Sequence, residues 1–245
     1  MNPTITIATA HRVMTQLRRD PRTIALLLVV PGALLTLIKY VFDGDQAAFD
    51  RIGGPLVGLF PFITMFLVTS ITMLRERTTG TLERLMTMPL AKLDILLGYG
   101  IAFGAIGTAQ ALITSGVAFG ILGLDVAGSA ALVIALAIGN AVLGMSMGLL
   151  VSAFARSEFQ AVQFMPAFVF PQLLLCGLFV ARDQMASALQ TISDALPLTY
   201  AYDALDRVAT DGSLGSGGVA DVAVICGAIV LALLLGAATL RRTTA

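Results

Sequence analysis

The chain has 245 residues, of which 57% are hydrophobic and 12% are charged, and its formal net charge at pH 7 is zero. A soluble domain carries about twice that share of charged residues, and the mean hydropathy of +0.90 exceeds what one soluble core can bury. The composition therefore predicts a membrane protein and gives no electrostatic basis for binding nucleic acid. Because Cys176 and Cys226 lack metal-ligand spacing and His11 is the sole histidine, we predict no metal site and no catalytic residues.

The polar segment 1–22 is the first predicted element. Its apolar residues recur at helical spacing as Ile7, Ala10, Met14 and Leu17. Its basic residues on other faces include Arg12, Arg18 and Arg19. This pattern predicts an amphipathic helix in the cytoplasmic interface, where arginines meet anionic headgroups. The alternative is a cytoplasmic helix without membrane contact.

Six stretches are apolar over the roughly 20 residues that a membrane-spanning helix needs. In chain order they are Thr23–Phe42, Pro55–Leu74, Ile95–Leu124, Ala130–Ala155, Phe159–Val180 and Val222–Leu240. The six stretches predict an all-α membrane protein with six transmembrane helices. Their central portions contain no charged residue or histidine. Because proton-coupled pumps keep such groups inside the membrane, this absence argues against proton coupling.

The distribution of basic residues predicts the orientation. Of the 15 lysines and arginines, four fall on one side of the predicted membrane: Lys39, Arg51, Arg182 and Arg207. The other basic residues lie on the side of the N-terminus, and positive charge is retained in the cytoplasm. Both termini are therefore predicted to be cytoplasmic. We treat 1–245 as a single transmembrane domain, divided into 1–22, 23–74 with two spans, the loop 75–93, 94–180 with three spans, the outer segment 181–218, and 219–245 with the last span and a tail.

The cytoplasmic loop 75–93 contains a predicted two-turn helix. Gly80 can act as its N-cap, with Glu83 three residues later to reach free backbone donors. One face is apolar, with Leu82, Leu85 and Met86, and Pro89 ends the helix. Since two turns are not stable in isolation, the helix must dock either on loops of this chain or on a partner subunit.

The segment 181–218 on the outer side is too polar to span and too apolar to be a plain loop. An apolar stripe recurs as Met185, Leu189, Ile192 and Leu196. Pro197 breaks this helix, and Tyr200, Tyr202 and Asp203 follow. We predict a re-entrant helical segment that dips into the outer leaflet, followed by a flexible loop from Asp211 to Gly218.

Polar residues inside the spans are few. Asn140, Gln163 and Gln172 are the candidate pathway residues, because an amide in hydrocarbon must be hydrogen-bonded or face a cavity. The alternative is hydrogen bonding between helices of one subunit. Gly144 and Gly148 fit small-xxx-small helix packing. The chain has no phosphate-binding G-x-x-x-x-G-K-[ST] loop, so active transport would take its energy from another polypeptide.

Two motifs resemble one family. The run Arg-Glu-Arg-Thr-Thr-Gly-Thr-Leu-Glu-Arg-Leu at 75–85, with Pro89, resembles the cytoplasmic loop of type-two ATP-binding-cassette (ABC) exporter permeases. The run Leu-Pro-Leu-Thr-Tyr-Ala-Tyr-Asp-Ala-Leu at 196–205 resembles their outer re-entrant segment. Length, spans and termini agree as well, so the resemblance covers essentially the whole chain.

The resemblance implies a permease homodimer in the prokaryotic cytoplasmic membrane, bound by two copies of an ABC ATPase that carry ATP and Mg²⁺. Its implied coupling residues are Arg75, Glu76, Arg77, Gly80, Thr81, Leu82, Glu83, Arg84, Leu85 and Met86. Arg12, Arg18 and Arg19 would support the same junction. Low aromatic content and no Trp favour an apolar or amphipathic cargo, namely a drug, antibiotic or lipid. The alternatives are an ion-gradient-coupled carrier and a membrane scaffold or immunity protein without flux.

Overall fold

A computed structural model describes residues 3–81 and 92–239, and the regular structure of these two ranges is helical. In chain order the helices are α1 (Pro3–Arg18), α2 (Pro21–Val41), α3 (Gln46–Thr78), α4 (Lys92–Ser115), α5 (Ala130–Val151), α6 (Glu158–Phe164), α7 (Phe170–Leu175), α8 (Ser187–Asp194), α9 (Pro197–Asp211) and α10 (Gly215–Ala238). Two π-helical stretches, Gly116–Ile121 and Met165–Val169, continue α4 and join α6 to α7, and a 3-10 turn covers Arg182–Gln184.

Within residues 3–81 and 92–239, five helices are long and apolar enough to cross a membrane: α2, α3, α4 with its π-helical continuation, α5 and α10. They coincide with five of the six predicted spans. The remaining predicted span, Phe159–Val180, is helical from Glu158 to Leu175 as α6, a π-helical stretch and α7. Pro166 and Pro171 lack a backbone N–H, which accounts for the interruptions. The sixth crossing therefore stays a prediction.

The longest helix, α3, packs against α5 at the centre of the molecule. Asp45 begins α3 by accepting a hydrogen bond from the backbone N–H of Ala48 at 3.0 Å. A Cβ atom on Gly144 or Gly148 of α5 would lie 2.2 Å or 2.5 Å from the carbonyl oxygens of Phe62 and Phe66. These glycines therefore let the two helices touch backbone to backbone within one subunit.

The N-terminal helix α1 lies on α4, and its buried face differs from the predicted stripe. The buried side chains are Thr6, Thr9, Ala10, Val13 and Leu17. Ile7 of the predicted apolar stripe is 65% exposed. A Cβ atom on Gly98 of α4 would lie 2.5 Å from Cβ of Thr9. Such close approach favours small side chains, which explains why the threonines and not Ile7 face α4.

The loop predicted from Asp211 to Gly218 is shorter than expected, because α10 begins at Gly215. The helix therefore begins four residues before the predicted boundary at residue 219. The N–H of Gly218 donates to the carbonyl of Leu214 at 2.8 Å, and a Cβ on Gly218 would lie 2.6 Å from the Leu214 side chain. The glycines thus serve close packing inside a helix. Gly212, with φ of +78°, makes the left-handed turn that ends α9.

Candidate functional site

A polar cluster joins the C-terminal end of α3 to α1 and α4. Nη1 of Arg12 lies 3.2 Å from Oε2 of Glu76, and Nη2 of Arg12 donates to the hydroxyl of Tyr99 at 2.5 Å. Glu76 is 7% exposed and Tyr99 is fully buried. Since water and salt screen a sheltered pair weakly, this cluster fixes three helices at one point on the predicted cytoplasmic side.

The charge of Arg12 is maintained in this setting. Burial lowers the pKa of Arg12, but the neighbouring Tyr99 and Glu76 outweigh it and raise the pKa above its ordinary value. Arg12 and Glu76 were each named from the sequence, although not as a pair. Tyr99 was missed, because a single tyrosine inside an apolar run carries no periodic or motif signal.

The other predicted coupling residues divide into those at the end of α3 and those beyond it. Arg75 pairs with Glu158 at the start of α6 at 2.9 Å, but both side chains are more than half exposed. Arg77 is partly buried, and its Nη2 lies 3.4 Å from Oγ1 of Thr239, just after α10. The residues Leu82, Glu83, Arg84, Leu85 and Met86 lie outside the described ranges. Arg18 and Arg19 of the predicted interface set are exposed.

Gly80 separates α3 from the next predicted helix. It has φ of +72°, a left-handed conformation that favours glycine, and it follows Thr79, the C-cap of α3. Thr81 is the next helical residue. Gly80 thus directly precedes the next helical residue, which is the position that the N-cap interpretation gives it, and its left-handed conformation also makes the turn that ends α3.

The outer segment forms a folded cap on the opposite end of α3. Pro197 starts α9, and the Tyr200 hydroxyl donates to the carbonyl of Asp194 at 2.6 Å. Arg182 pairs with Asp203 at 2.8 Å and with Asp194 at 3.2 Å. These contacts tie α8, α9 and the 3-10 turn together. Leu198, Ala204, Leu205 and Val208 of α9 are fully buried in the main core.

A cavity of about 560 Å³ lies between α9, the start of α3 and the segment after α7. Its charged or hydroxyl-bearing lining residues are Arg51, Arg182, Tyr202, Asp203, Asp206 and Thr210. Burial raises the pKa of Asp203 to about 6, although Arg182 opposes the shift. The charged form of this carboxyl is therefore less favoured than that of an exposed aspartate.

The three candidate pathway residues lie in different environments. Asn140 is buried at the contact of α5 with α3 and α9, and its Nδ2 has no hydrogen-bond partner among the described residues. Gln163 is exposed on α6. Gln172 is buried and donates to the Phe168 carbonyl at 3.0 Å, while its Oε1 accepts from the N–H of Leu198 at 3.4 Å. The structure therefore brings none of the three together, and Gln172 has the hydrogen bonds of a helix-packing residue.

Comparison with known proteins identifies the family. The model of the family described as "ABC-2 type transporter" matches residues 5–208. The chain is 25% identical over 185 residues to ABC transporter G family member 20 of Dictyostelium discoideum, covering 75% of this chain and 25% of that protein. It is 27% identical over 153 residues to the probable multidrug ABC transporter permease YbhR of Escherichia coli, covering 62% and 42%.

The chain is also 26% identical over 211 residues to the linearmycin resistance permease protein LnrN of Bacillus subtilis, covering 82% of this chain and 51% of that protein. It thus spans between a quarter and about half of the length of these relatives. The family match covers most of the chain and includes the α1–α3–α4 cluster and most of α9. The chain therefore belongs to the ABC-2 type transporter family.

Proposed function

We propose that this chain is the permease subunit of an exporter powered by separate ABC ATPase subunits, and that its cargo is apolar or amphipathic. Family membership supports a membrane subunit of an ABC transporter. Two relatives are named for multidrug transport and linearmycin resistance, which favours a drug, antibiotic or lipid as cargo. The low charge content of the spans suits such compounds.

The continuity of α3 is the observation that carries this proposal. Its 33 residues make a helix of about 50 Å, longer than the roughly 30 Å hydrocarbon core of a bilayer. Near its start, a Cβ on Gly58 would lie 2.5 Å from the Leu205 side chain of α9. Its last turns carry Glu76 and lead into the predicted coupling helix. One helix therefore connects the coupling loop to the outer segment.

In the proposed mechanism, two ATPase copies bind ATP and Mg²⁺ and close on each other beneath a permease homodimer. The coupling helix at 80–88 sits in a groove of the ATPase and moves with it. The Arg12–Glu76–Tyr99 cluster passes that displacement to α1 and α4, and α3 passes it to α9. The permease then alternates between two states because ATP binds one of them more tightly. Both termini face the cytoplasm of a prokaryotic cell in this arrangement.

The first test is purification of the tagged chain from its native host in mild detergent. We expect a stoichiometric ATPase subunit to co-purify and the preparation to hydrolyse ATP in a vanadate-sensitive manner. Glu83→Gln in the predicted coupling helix is expected to reduce both the ATPase yield and the hydrolysis. Asp183→Asn, which removes the same charge on the opposite side of the predicted membrane, is the matched control and is expected to change neither.

Transport itself is tested in liposomes that contain the purified complex, with ATP supplied on one side and a panel of amphipathic dyes as cargo. Dye movement that requires ATP and the ATPase subunit supports the exporter. Recovery of the chain without an ATPase, together with solute movement driven by an imposed ion gradient, would instead establish the carrier. A partner without any flux would establish the scaffold.

A further inference from the structure

A long apolar groove runs along the outer surface of α5 and α10. One part, of about 370 Å³, is lined by residues that include Met147, Leu150, Ala228, Leu231 and Leu235. A second part, of about 660 Å³, is lined by Leu150, Ala153, Phe154, Leu235, Ala238 and Thr239. Because both parts share Leu150 and Leu235, they form one continuous surface, which we name the α5/α10 groove.

The α5/α10 groove is long enough to hold a lipid acyl chain. Along α10 its lining extends from Val224 to Thr239, which is about 22 Å at the helical rise. One leaflet of the hydrocarbon core is about 15 Å deep. The groove therefore accommodates an acyl chain that enters from the Thr239 end.

A basic side chain reaches that same end. Nη2 of Arg77 lies 3.4 Å from Oγ1 of Thr239, which lines the groove. The Nε of Arg77 is buried without a hydrogen-bond partner, and no carboxylate of residues 3–81 or 92–239 lies within 4 Å of its guanidinium. A sheltered guanidinium needs an anion to offset its lost hydration, and its planar fork fits a phosphate.

We propose that an anionic phospholipid binds at this position, with its phosphate at Arg77 and one acyl chain in the α5/α10 groove. The lipid belongs to the leaflet at the C-terminal end of α3, which the proposed orientation makes the cytoplasmic leaflet. Two independent features carry the inference: an apolar surface of acyl-chain dimensions, and an arginine with unused hydrogen-bonding capacity at its mouth. The site lies next to the α3 segment that leads into the coupling loop, so lipid binding would bear on the same junction.

Native mass spectrometry of the purified chain or its complex, delipidated and then mixed with defined lipids, tests this proposal. The probes are phosphatidylglycerol, which is anionic, and phosphatidylcholine, which has no net charge. We expect wild type to retain more phosphatidylglycerol than phosphatidylcholine. Arg77→Gln should reduce that ratio about fivefold, which is the effect of one basic residue near an anionic lipid. Arg77→Lys should keep part of it. Arg22→Gln removes an exposed charge on the same side and should leave the preference unchanged.

A second variant tests the groove without touching the arginine. Ala238 is exposed at the surface and lines the groove, so Ala238→Phe should fill it and displace the acyl chain without disturbing the fold. Val230→Phe, on another exposed face of α10, is its matched control and should bind lipid as wild type does. Equal retention of the two lipids by wild type would overturn the proposal. So would full retention of the preference by both Arg77→Gln and Ala238→Phe.

Discussion

Replacement of Gly144 by alanine tests whether the contact of α3 with α5 is as close as the structure has it. The added Cβ would lie 2.2 Å from the carbonyl oxygen of Phe62 and 2.9 Å from its carbonyl carbon and Cα. All three are backbone atoms in the middle of a helix, so no side-chain rotation can relieve the overlap. The two helices must therefore move apart by about 1 Å in an interior that is otherwise close-packed.

The loss of stability follows from the buried side chains that the separation of α3 and α5 disturbs. Phe62, Phe66, Leu143 and Leu149 are fully buried beside this contact, and overpacking of such a core costs about 1–3 kcal/mol. Alanine recovers up to about 1 kcal/mol through its better helix propensity. We therefore expect a net destabilisation of about 0–2 kcal/mol relative to wild type.

Gly139→Ala on the same helix is the matched control, because a Cβ there would have nothing within 4 Å. It gains helix propensity without a clash, so its stability should equal or exceed that of wild type. The measurement is thermal unfolding in detergent, followed by the loss of the monodisperse peak in size-exclusion chromatography. A melting temperature for Gly144→Ala at or above that of Gly139→Ala would refute the backbone contact.

Three further predictions concern charged groups. Glu76→Gln leaves Arg12 without its carboxylate and should lower the free energy of unfolding by about 1–3 kcal/mol, and in a double-mutant cycle with Arg12→Gln the two losses should be less than additive. Because Arg75 and Glu158 are both exposed, Arg75→Ala should lower the free energy of unfolding by less than about 1 kcal/mol. A larger loss of stability, measured by thermal unfolding, would contradict this. Burial raises the pKa of Asp203 from 3.8 to about 6, so between these values the folded state holds more protons than the unfolded state. The free energy of unfolding should therefore fall as pH rises from about 4 to about 6, and Asp203→Asn should flatten this dependence in melting curves; parallel curves would refute it.

Hydropathy predicted the apolar middles of the spans and was less accurate about their ends. It predicted a second span from Pro55 to Leu74, whereas α3 extends from Gln46 to Thr78. Hydrogen bonding by the Asp45 cap sets where α3 begins, and the left-handed Gly80 follows its end. A hydropathy profile detects neither the cap nor the left-handed turn. The start of α10 at Gly215 was likewise not visible to hydropathy. A Cβ on Gly217 or Gly218 would meet the side chain of Arg207 or Leu214, so these glycines suit close packing within a helix.

Two residues of the candidate cluster, Arg12 and Glu76, were named from the sequence, but their pairing was not predicted and Tyr99 was missed. Arg12 and Glu76 are 64 positions apart, and nothing in a single sequence indicates that α1 places them 3.2 Å from each other. The apolar stripe of α1 was predicted for a helix in the cytoplasmic interface, and the sequence did not indicate that α1 also packs on α4. Here the partner surface contains Gly98, and close approach selects Thr9 instead.

The distribution of charge along α3 bears on how its two ends would communicate in the proposed mechanism. Asp50 and Arg51 lie near its start and Arg75, Glu76 and Arg77 near its end, with no charged residue between them. About 35 Å of helix separates Arg51 from Arg75, several Debye lengths at physiological ionic strength, so charge at one end exerts little direct force on the other. In the proposed mechanism, displacement of the coupling loop then reaches the outer segment through packing, and among the glycines of α5 a Cβ at Gly144 would approach α3 most closely. For that reason we expect Gly144→Ala to reduce cargo movement per ATP hydrolysed more than it reduces hydrolysis itself, whereas a variant that only weakens ATPase docking should lower both in proportion.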